Sequence, residues 1–273
     1  MSLVGTARTP SLRIRAVATH DRTLSREQVE RYHGDGYLGP FTLCSPAEMA
    51  AIRERIDNEV IGTWNEWPGA QYQTRHLDCR VVYELCAHAA ILDRVACILG
   101  PDLVLWQSNF FMKEPGEKEY PWHQDANYWP IEPPINVSAW IAIDPATVEN
   151  GCVQVIPGSH RKHVPHIPAD AAHQFPEQAD PEFVDADKAV YMELEAGQFF
   201  LFSERMLHHS DANRSDRPRT GLAVRLTVPI VRCYHEHPMI VVRGSDRMGF
   251  NRMAEPPAQA TRKGGGLRRL WQR

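Results

Sequence analysis

The sequence predicts a mainly β fold, a jelly-roll or cupin-like double-stranded β-helix, with a helical N-terminal third packed outside it. Three observations carry this. Helix start signals and apolar residues at helical spacing fill the chain up to Gly100-Pro101. Beyond that point the apolar period changes from helical to strand-like, where side chains alternate between two faces. The strand-like runs are short and separated by Gly, Pro and Asn turn signals, the pattern of a double sheet rather than of parallel βαβ units.

Taken in order, Ser25-Arg26-Glu27-Gln28 has the form of a capping box and opens a short helix that ends near Gly34 and Gly36. Ser45-Pro46-Ala47-Glu48 opens a second, with a cap, a proline in the first turn and a glutamate at the third position. Met49, Ile52, Ile56 and Val60 then recur on one face, which should lie on a core. Thr63 to His76 reads as a loop, and a third helix is expected from about Val81 to Leu99, stopped by Gly100-Pro101. Strands are expected over Leu103–Met112, Asn136–Ile143, Cys152–Ile156, Val190–Leu194, Phe199–Phe202 and Gly221–Val228. Asn150-Gly151 reads as a tight turn. The polar stretch His160 to Ala189 reads as an excursion from the barrel, suited to a lid. The whole chain, 1–273, reads as one domain: a loose arm over 1–24, the barrel and its helices over 25–254, and a flexible basic tail over 255–273.

Composition narrows the class. With 43% hydrophobic and 23% charged residues the 273-residue chain resembles an ordinary globular enzyme. A formal charge of -4 leaves no electrostatic footprint for nucleic acid. No apolar run approaches the roughly 20 residues that cross a bilayer, and Met1 to His20 lacks the apolar core of a secretory signal. Six scattered cysteines without a C-x-x-C pair argue for reduced thiols in a cytosolic protein. Oligomeric state is not legible.

The chemistry centres on Trp122-His123-Gln124-Asp125. In an extended strand residues i and i+2 share a face, so one imidazole and one carboxylate reach a common point. Two ligands do not make a site. A histidine from Met206-Leu207-His208-His209-Ser210-Asp211 could supply a third, and two neutral imidazoles with one carboxylate are the facial set of non-haem iron(II) oxygenases. Arg219, slightly further on, suits bidentate binding of a carboxylate. Arg225 shares strand parity with Arg219, while Leu222, Val224 and Leu226 take the other face. It either holds an anionic substrate or forms an ion pair at the barrel end. Two other histidine groups, His160/His163/His166 and His235-Glu236-His237, read as solvated segments rather than metal combs.

From about Gln28 to Val231 the sequence resembles the phytanoyl-CoA dioxygenase family of Fe(II)/2-oxoglutarate oxygenases. The resemblance rests on Gly36-Tyr37, Trp122-His123-Gln124-Asp125, Glu149-Asn150-Gly151-Cys152 and Pro157-Gly158-Ser159-His160. It ends in H-x-S-x-x-N-x-S-x-x-x-R, which fits His208, Ser210, Asn213, Ser215 and Arg219. It implies His123, Asp125 and His208 as iron ligands, with Arg219 and Ser210 on the distal carboxylate of 2-oxoglutarate. Lys113, Trp140 and Gln107 are further co-substrate candidates. His209 then lies behind His208, since only one of two adjacent strand residues faces inward; the competing pair His209/Asp211 would break the partnership with Arg219.

The implied activity uses Fe(II), 2-oxoglutarate and O2 to hydroxylate an aliphatic C–H of a small molecule, with release of succinate and CO2. The same site is compatible with desaturation, epoxidation or cyclisation. Asp125 stands where related halogenases carry a small residue, which favours oxygen transfer. Substrate contacts are expected from Asn127, Trp129, Arg225 and His76 and from the segments 63–76 and 160–189. Arg225, Arg75 and Arg80 suggest an anionic substrate, a carboxylate or phosphonate. A cupin-type hydrolase or isomerase and a non-catalytic binding protein are the alternatives from other classes; neither needs Arg219 in its motif.

Overall fold

A computed structural model describes residues 22–61, 63, 72–170 and 173–258. The expected N-terminal arm, the basic end of the tail and most of the 63–76 segment lie outside the described residues, apart from 22–24, 255–258, 63 and 72–76.

Four helices lie in the N-terminal part: α1 (Arg26–Asp35), α2 (Pro46–Glu59), α3 (Arg80–Cys86) and α4 (Ala89–Leu99). Both expected capping boxes form. The Ser25 and Ser45 hydroxyls accept from the third backbone N–H, and Gln28 and Glu48 reach back to the cap. Each satisfies two amide donors that a helix start leaves open. Helix α1 stops at Gly36, whose φ of 81° favours glycine. The single helix expected over 81–99 is two. His88 is extended, and its imidazole accepts from the Ala90 amide, so it ends α3 and caps α4. A side chain that competes for local backbone donors breaks a helix without any Gly or Pro signal.

The strands are β1 (Tyr37–Thr42), β2 (Leu103–Lys113), β3 (Tyr120–His123), β4 (Ile131–Glu132), β5 (Val137–Ala142), β6 (Val153–Val155) and β7 (His166–Pro168). They continue as β8 (Glu177–Ala179), β9 (Val190–Met192), β10 (Gln198–Ser203), β11 (His208–Ser210), β12 (Arg219–Thr227), β13 (Arg232–Cys233) and β14 (Ile240–Arg243). Six form one sheet in the order β1-β10-β5-β12-β2-β14, and four form a second, β3-β11-β6-β9. The outcome is the mainly β double sheet with outer helices that the sequence predicts. β1 was not expected, because Gly39-Pro40 interrupts its run; antiparallel pairing with β10 holds it as a strand. The 160–189 excursion carries a small hairpin, β7 with β8.

Side-chain alternation divides the core into two layers. Leu222, Val224 and Leu226 of β12 pack with Leu105, Ile141 and Leu201 against Met49, Ile52 and Ile56 of α2 and Ile91 and Val95 of α4. The opposite parity, Ala223 with Trp140, Phe200 and Phe202, meets Val153, Val155 and Met192 of the second sheet. Arg219 and Arg225 share that inner parity, so two buried guanidinium groups point between the sheets. Gly221, between them, leaves room for the Trp140 indole: a Cβ there would sit 2.0 Å from Trp140 Cζ2. All six cysteines are free, four of them buried, as their scattered spacing predicts.

Candidate active site

β3 and β11 pair antiparallel with His208 opposite His123. That register brings together two imidazoles 85 residues apart, with ring centroids separated by 4.0 Å. Asp125 does not continue the strand. It opens a short 3-10 turn, Asp125–Asn127, which swings its carboxylate toward the two rings. Asp125 Oδ1 lies 3.8 Å from His123 Nε2 and 3.9 Å from His208 Nε2. The three donor atoms lie within 4.8 Å of one another.

Tautomers are set by the backbone. His123 Nδ1 lies 2.7 Å from the Pro121 carbonyl and His208 Nδ1 2.9 Å from that of Met206. A carbonyl only accepts, so each Nδ1 carries the proton and each Nε2 presents its lone pair to the common point. Burial lowers both imidazole pKa values, His123 well below the usual range, which keeps the rings neutral and ready to ligate at neutral pH. This donor set fits a divalent iron ion.

Asp125 has a second partner. Arg225 Nη1 donates to Asp125 Oδ2 at 2.6 Å and to Ser138 Oγ at 2.9 Å. Of the two readings left open for Arg225, the ion pair is present, with Asp125 as the partner: it holds the carboxylate by Oδ2 and leaves Oδ1 toward the two imidazoles, while Arg225 also lines both cavities. Gln124, between the two ligands, points away and is fully buried. Its amide donates to the Lys162 and Arg205 carbonyls and accepts from the Val164 amide, tying the excursion to the metal segment. Arg225→Gln should therefore loosen Asp125 and lower Fe(II) affinity by about 10–100-fold, the usual cost of losing an outer partner of a ligand. An anaerobic Fe(II) titration reads this; unchanged affinity would show that the ion pair does not position the carboxylate.

An inner cavity extends from the cluster and is lined by Phe111, Tyr120, Trp140, Phe175, Ser210 and Arg219, among others. Arg219 is 1% exposed, with its guanidinium 5.4 Å over the Trp140 ring. Its Nη2 donates to Ser210 Oγ at 3.1 Å, and its buried Nε has no partner. No carboxylate among the described residues lies within ion-pair distance of it. Burial lowers its pKa to about 10, still charged at neutral pH. A buried cation with no ion-pair partner among the described residues, at the wall of this cavity, fits the carboxylate of 2-oxoglutarate. Ser210 donates to the Gly151 carbonyl at 2.7 Å and accepts from Lys113 Nζ at 2.8 Å and from Arg219. Its hydroxyl is fully committed, so here it aims Arg219 rather than offering a donor to the cavity. Lys113, opposite Arg219 in register, is buried behind Ser210 and also donates to the Ser210 and Asp211 carbonyls. Burial, with the Arg219 charge next, lowers its pKa to about 7.

An outer cavity of about 330 Å³ reaches the cluster at Asp125. It is lined by Asp125 and Arg225, by Trp106, Tyr128 and Trp129, and by Gln107, Asn109, His235 and His237. Trp129 is where the sequence expects it; three other residues are not. Gln107, a co-substrate candidate, lies in this outer cavity. His76 is fully buried, with Nδ1 2.8 Å from Ser108 Oγ, and does not line either cavity. Asn127 donates to Glu177 Oε2 at 3.0 Å and holds the β7–β8 hairpin, as the Tyr128 hydroxyl does through the Glu177 carbonyl. Arg75 pairs with Asp78 and Arg80 with Glu84, so neither is free for a substrate anion.

His209 faces away from His208. Its ring stacks on Trp122 at 5.0 Å, and it meets Asp211 at 3.3 Å with Glu119 nearby. His163 is exposed, as a solvated segment predicts, while the half-buried His160 and His166 are also tied to the His33 carbonyl and the Gln124 amide. Sequence reasoning missed Phe175, which lines both cavities with its ring 4.8 Å from that of His123, and the pocket role of His235 and His237. No i/i+2 ligand motif with a partner segment marks them; only the tertiary fold brings them in.

The double sheet, the His-Asp-His cluster and the cationic inner cavity define a non-haem Fe(II)/2-oxoglutarate-dependent dioxygenase. The sequence model of phytanoyl-CoA dioxygenase (PhyH) matches residues 32–221, and the chain belongs to that family. It is 32% identical over 219 residues to a dioxygenase of Epichloe uncinata, lolE1, covering 73% of this chain and 81% of the relative. It is 29% identical over 216 residues to a methylphosphonate hydroxylase of Gimesia maris, covering 73% and 79%. The fold is similar to CytC3 solved with Fe(II) and alpha-ketoglutarate, with a TM-score of 0.69 and 25% identity over 86% of this chain and 94% of that one. Among the described residues no helix is long and apolar enough to cross a membrane.

Proposed function

We propose that the protein hydroxylates an aliphatic C–H bond of a small molecule held in the outer cavity. His123, Asp125 and His208 would hold the iron, and Arg219, aimed by Ser210 with Lys113 behind it, would hold the distal carboxylate of 2-oxoglutarate. Bound iron and co-substrate supply the oxidising chemistry, coupled to loss of CO2 and formation of succinate. The chain's own contribution is placement and exclusion of water. Arg225 holds Asp125, and Phe111 and Phe175, at the wall of both cavities, keep the reacting region apolar.

The observation that carries this reading is that His123 and His208 share the inner cavity with the guanidinium of Arg219, which no described carboxylate pairs, while the third donor residue, Asp125, lines the outer cavity. The carboxylate at 125 supports oxygen transfer, since it takes the position a halide would need. The test is a screen of small molecules for stimulated succinate release, followed by mass analysis of the product. A product heavier by one oxygen atom, drawn from O2, is expected. One lighter by two hydrogen atoms would assign the site to desaturation or ring closure instead.

A further inference from the structure

The outer cavity holds hydrogen-bond acceptors that no described residue satisfies. His235 Nδ1 lies 3.0 Å from the His237 carbonyl, and His237 Nδ1 lies 3.2 Å from that of Pro238. Each neutral ring therefore carries its proton on Nδ1 and a lone pair on Nε2. Burial, reinforced by His237, lowers the His235 pKa to about 4, so this ring stays neutral at pH 7. His235 Nε2 is buried and has no partner, and the same holds for Asn109 Oδ1. Both residues line this cavity.

The wall beside them is aromatic. His235 stacks on Trp106 at 5.6 Å and 9°, and Trp129 meets Trp106 edge-on at 5.2 Å. Trp106 is fixed from behind, its indole N–H donating to Asn136 Oδ1 at 2.8 Å. Among the described lining residues the one Lys or Arg is Arg225; its Nη1 donates to Asp125 and Ser138, and its buried Nε has no partner.

Buried acceptors left open are costly unless something donates to them. Building on the assignment of this cavity to the substrate, we propose that the substrate is a non-anionic small molecule whose hydroxyl or amine hydrogens are received by His235 Nε2 and Asn109 Oδ1 against the Trp106–Trp129 wall. A carboxylate or phosphonate would meet two lone pairs, and the charge of the one guanidinium in the lining is balanced by Asp125. This departs from the anionic substrate suggested by Arg225, Arg75 and Arg80.

Two readouts test it. Asn109→Leu removes an orphan acceptor with little change of shape, so without substrate its Tm should hold or rise, by up to about 4 °C. A structural role for the amide would lower it. In the second readout, succinate release by the wild type is measured with cyclohexanemethanol, cyclohexanemethylamine, cyclohexanecarboxylate and methylphosphonate. Stimulation by the alcohol or the amine is expected, and which of the two is stronger separates hydroxyl from amine recognition. Asn109→Leu and His235→Phe should each weaken the apparent affinity for that compound by at least about tenfold, the loss of one good hydrogen bond. Stimulation by the two anions equal to or above that by the alcohol and amine, or a lower Tm for Asn109→Leu, overturns the proposal. The visible absorption of the Fe(II)/2-oxoglutarate complex, recorded with no substrate present, tests the underlying oxygenase site separately.

Discussion

Replacing Arg219 with alanine is expected to weaken 2-oxoglutarate binding by about 2–5 kcal/mol, the cost of leaving one member of a buried charge pair alone. That corresponds to roughly 30- to 4,000-fold in Kd. The magnitude is large because Arg219 is 1% exposed and solvent cannot screen the loss. The effect should fall on the KM for 2-oxoglutarate, with much of kcat recovered at saturation, since the guanidinium binds the far end of the co-substrate and not the reacting atoms. Arg219→Lys keeps the charge but loses the planar fork, so it should lie between wild type and Arg219→Ala. Isothermal titration of the anaerobic Fe(II) protein reads all three. Equal affinities would remove the carboxylate clamp from the account.

The second large effect separates two adjacent histidines. His208→Ala removes a direct ligand, so Fe(II) affinity should fall by more than the ~10–100-fold that loss of an outer partner costs, and succinate formation should drop to background. His209→Ala should leave the iron bound, because its ring stacks on Trp122 and meets Asp211 on the other side of the strand. Equilibrium dialysis against Fe(II) distinguishes the two variants. The reverse outcome would transfer the ligand to residue 209 and, with it, break the partnership of Ser210 and Arg219.

What the sequence made legible follows from how local each signal is. Capping boxes at Ser25 and Ser45 are local chemistry and form as expected. The parity of β12 is also local, so the inward direction of Arg219 and Arg225 was readable from Leu222, Val224 and Leu226 alone. The His-Asp-His cluster was readable because its two halves carry a motif. What Arg225 touches was not, since its partner Asp125 is 100 residues away and reaches it through a turn that strand periodicity does not predict. The break at His88 was hidden because a histidine cap resembles no common stop signal. His235 and His237 looked like a solvated segment, and they line a cavity only because β13 and β14 fold back beside β4 and β2. His76 erred in the other direction: a histidine at the end of a loop looked accessible, and packing sealed it.

The account stands on three donors and one buried cation acting on a single metal and its keto-acid. Adding Fe(II) and 2-oxoglutarate together to the anaerobic protein tests it most directly. A weak visible charge-transfer band should appear only when both are present, and it should disappear in His208→Ala. No band with both added, or a band indifferent to residue 208, would contradict it.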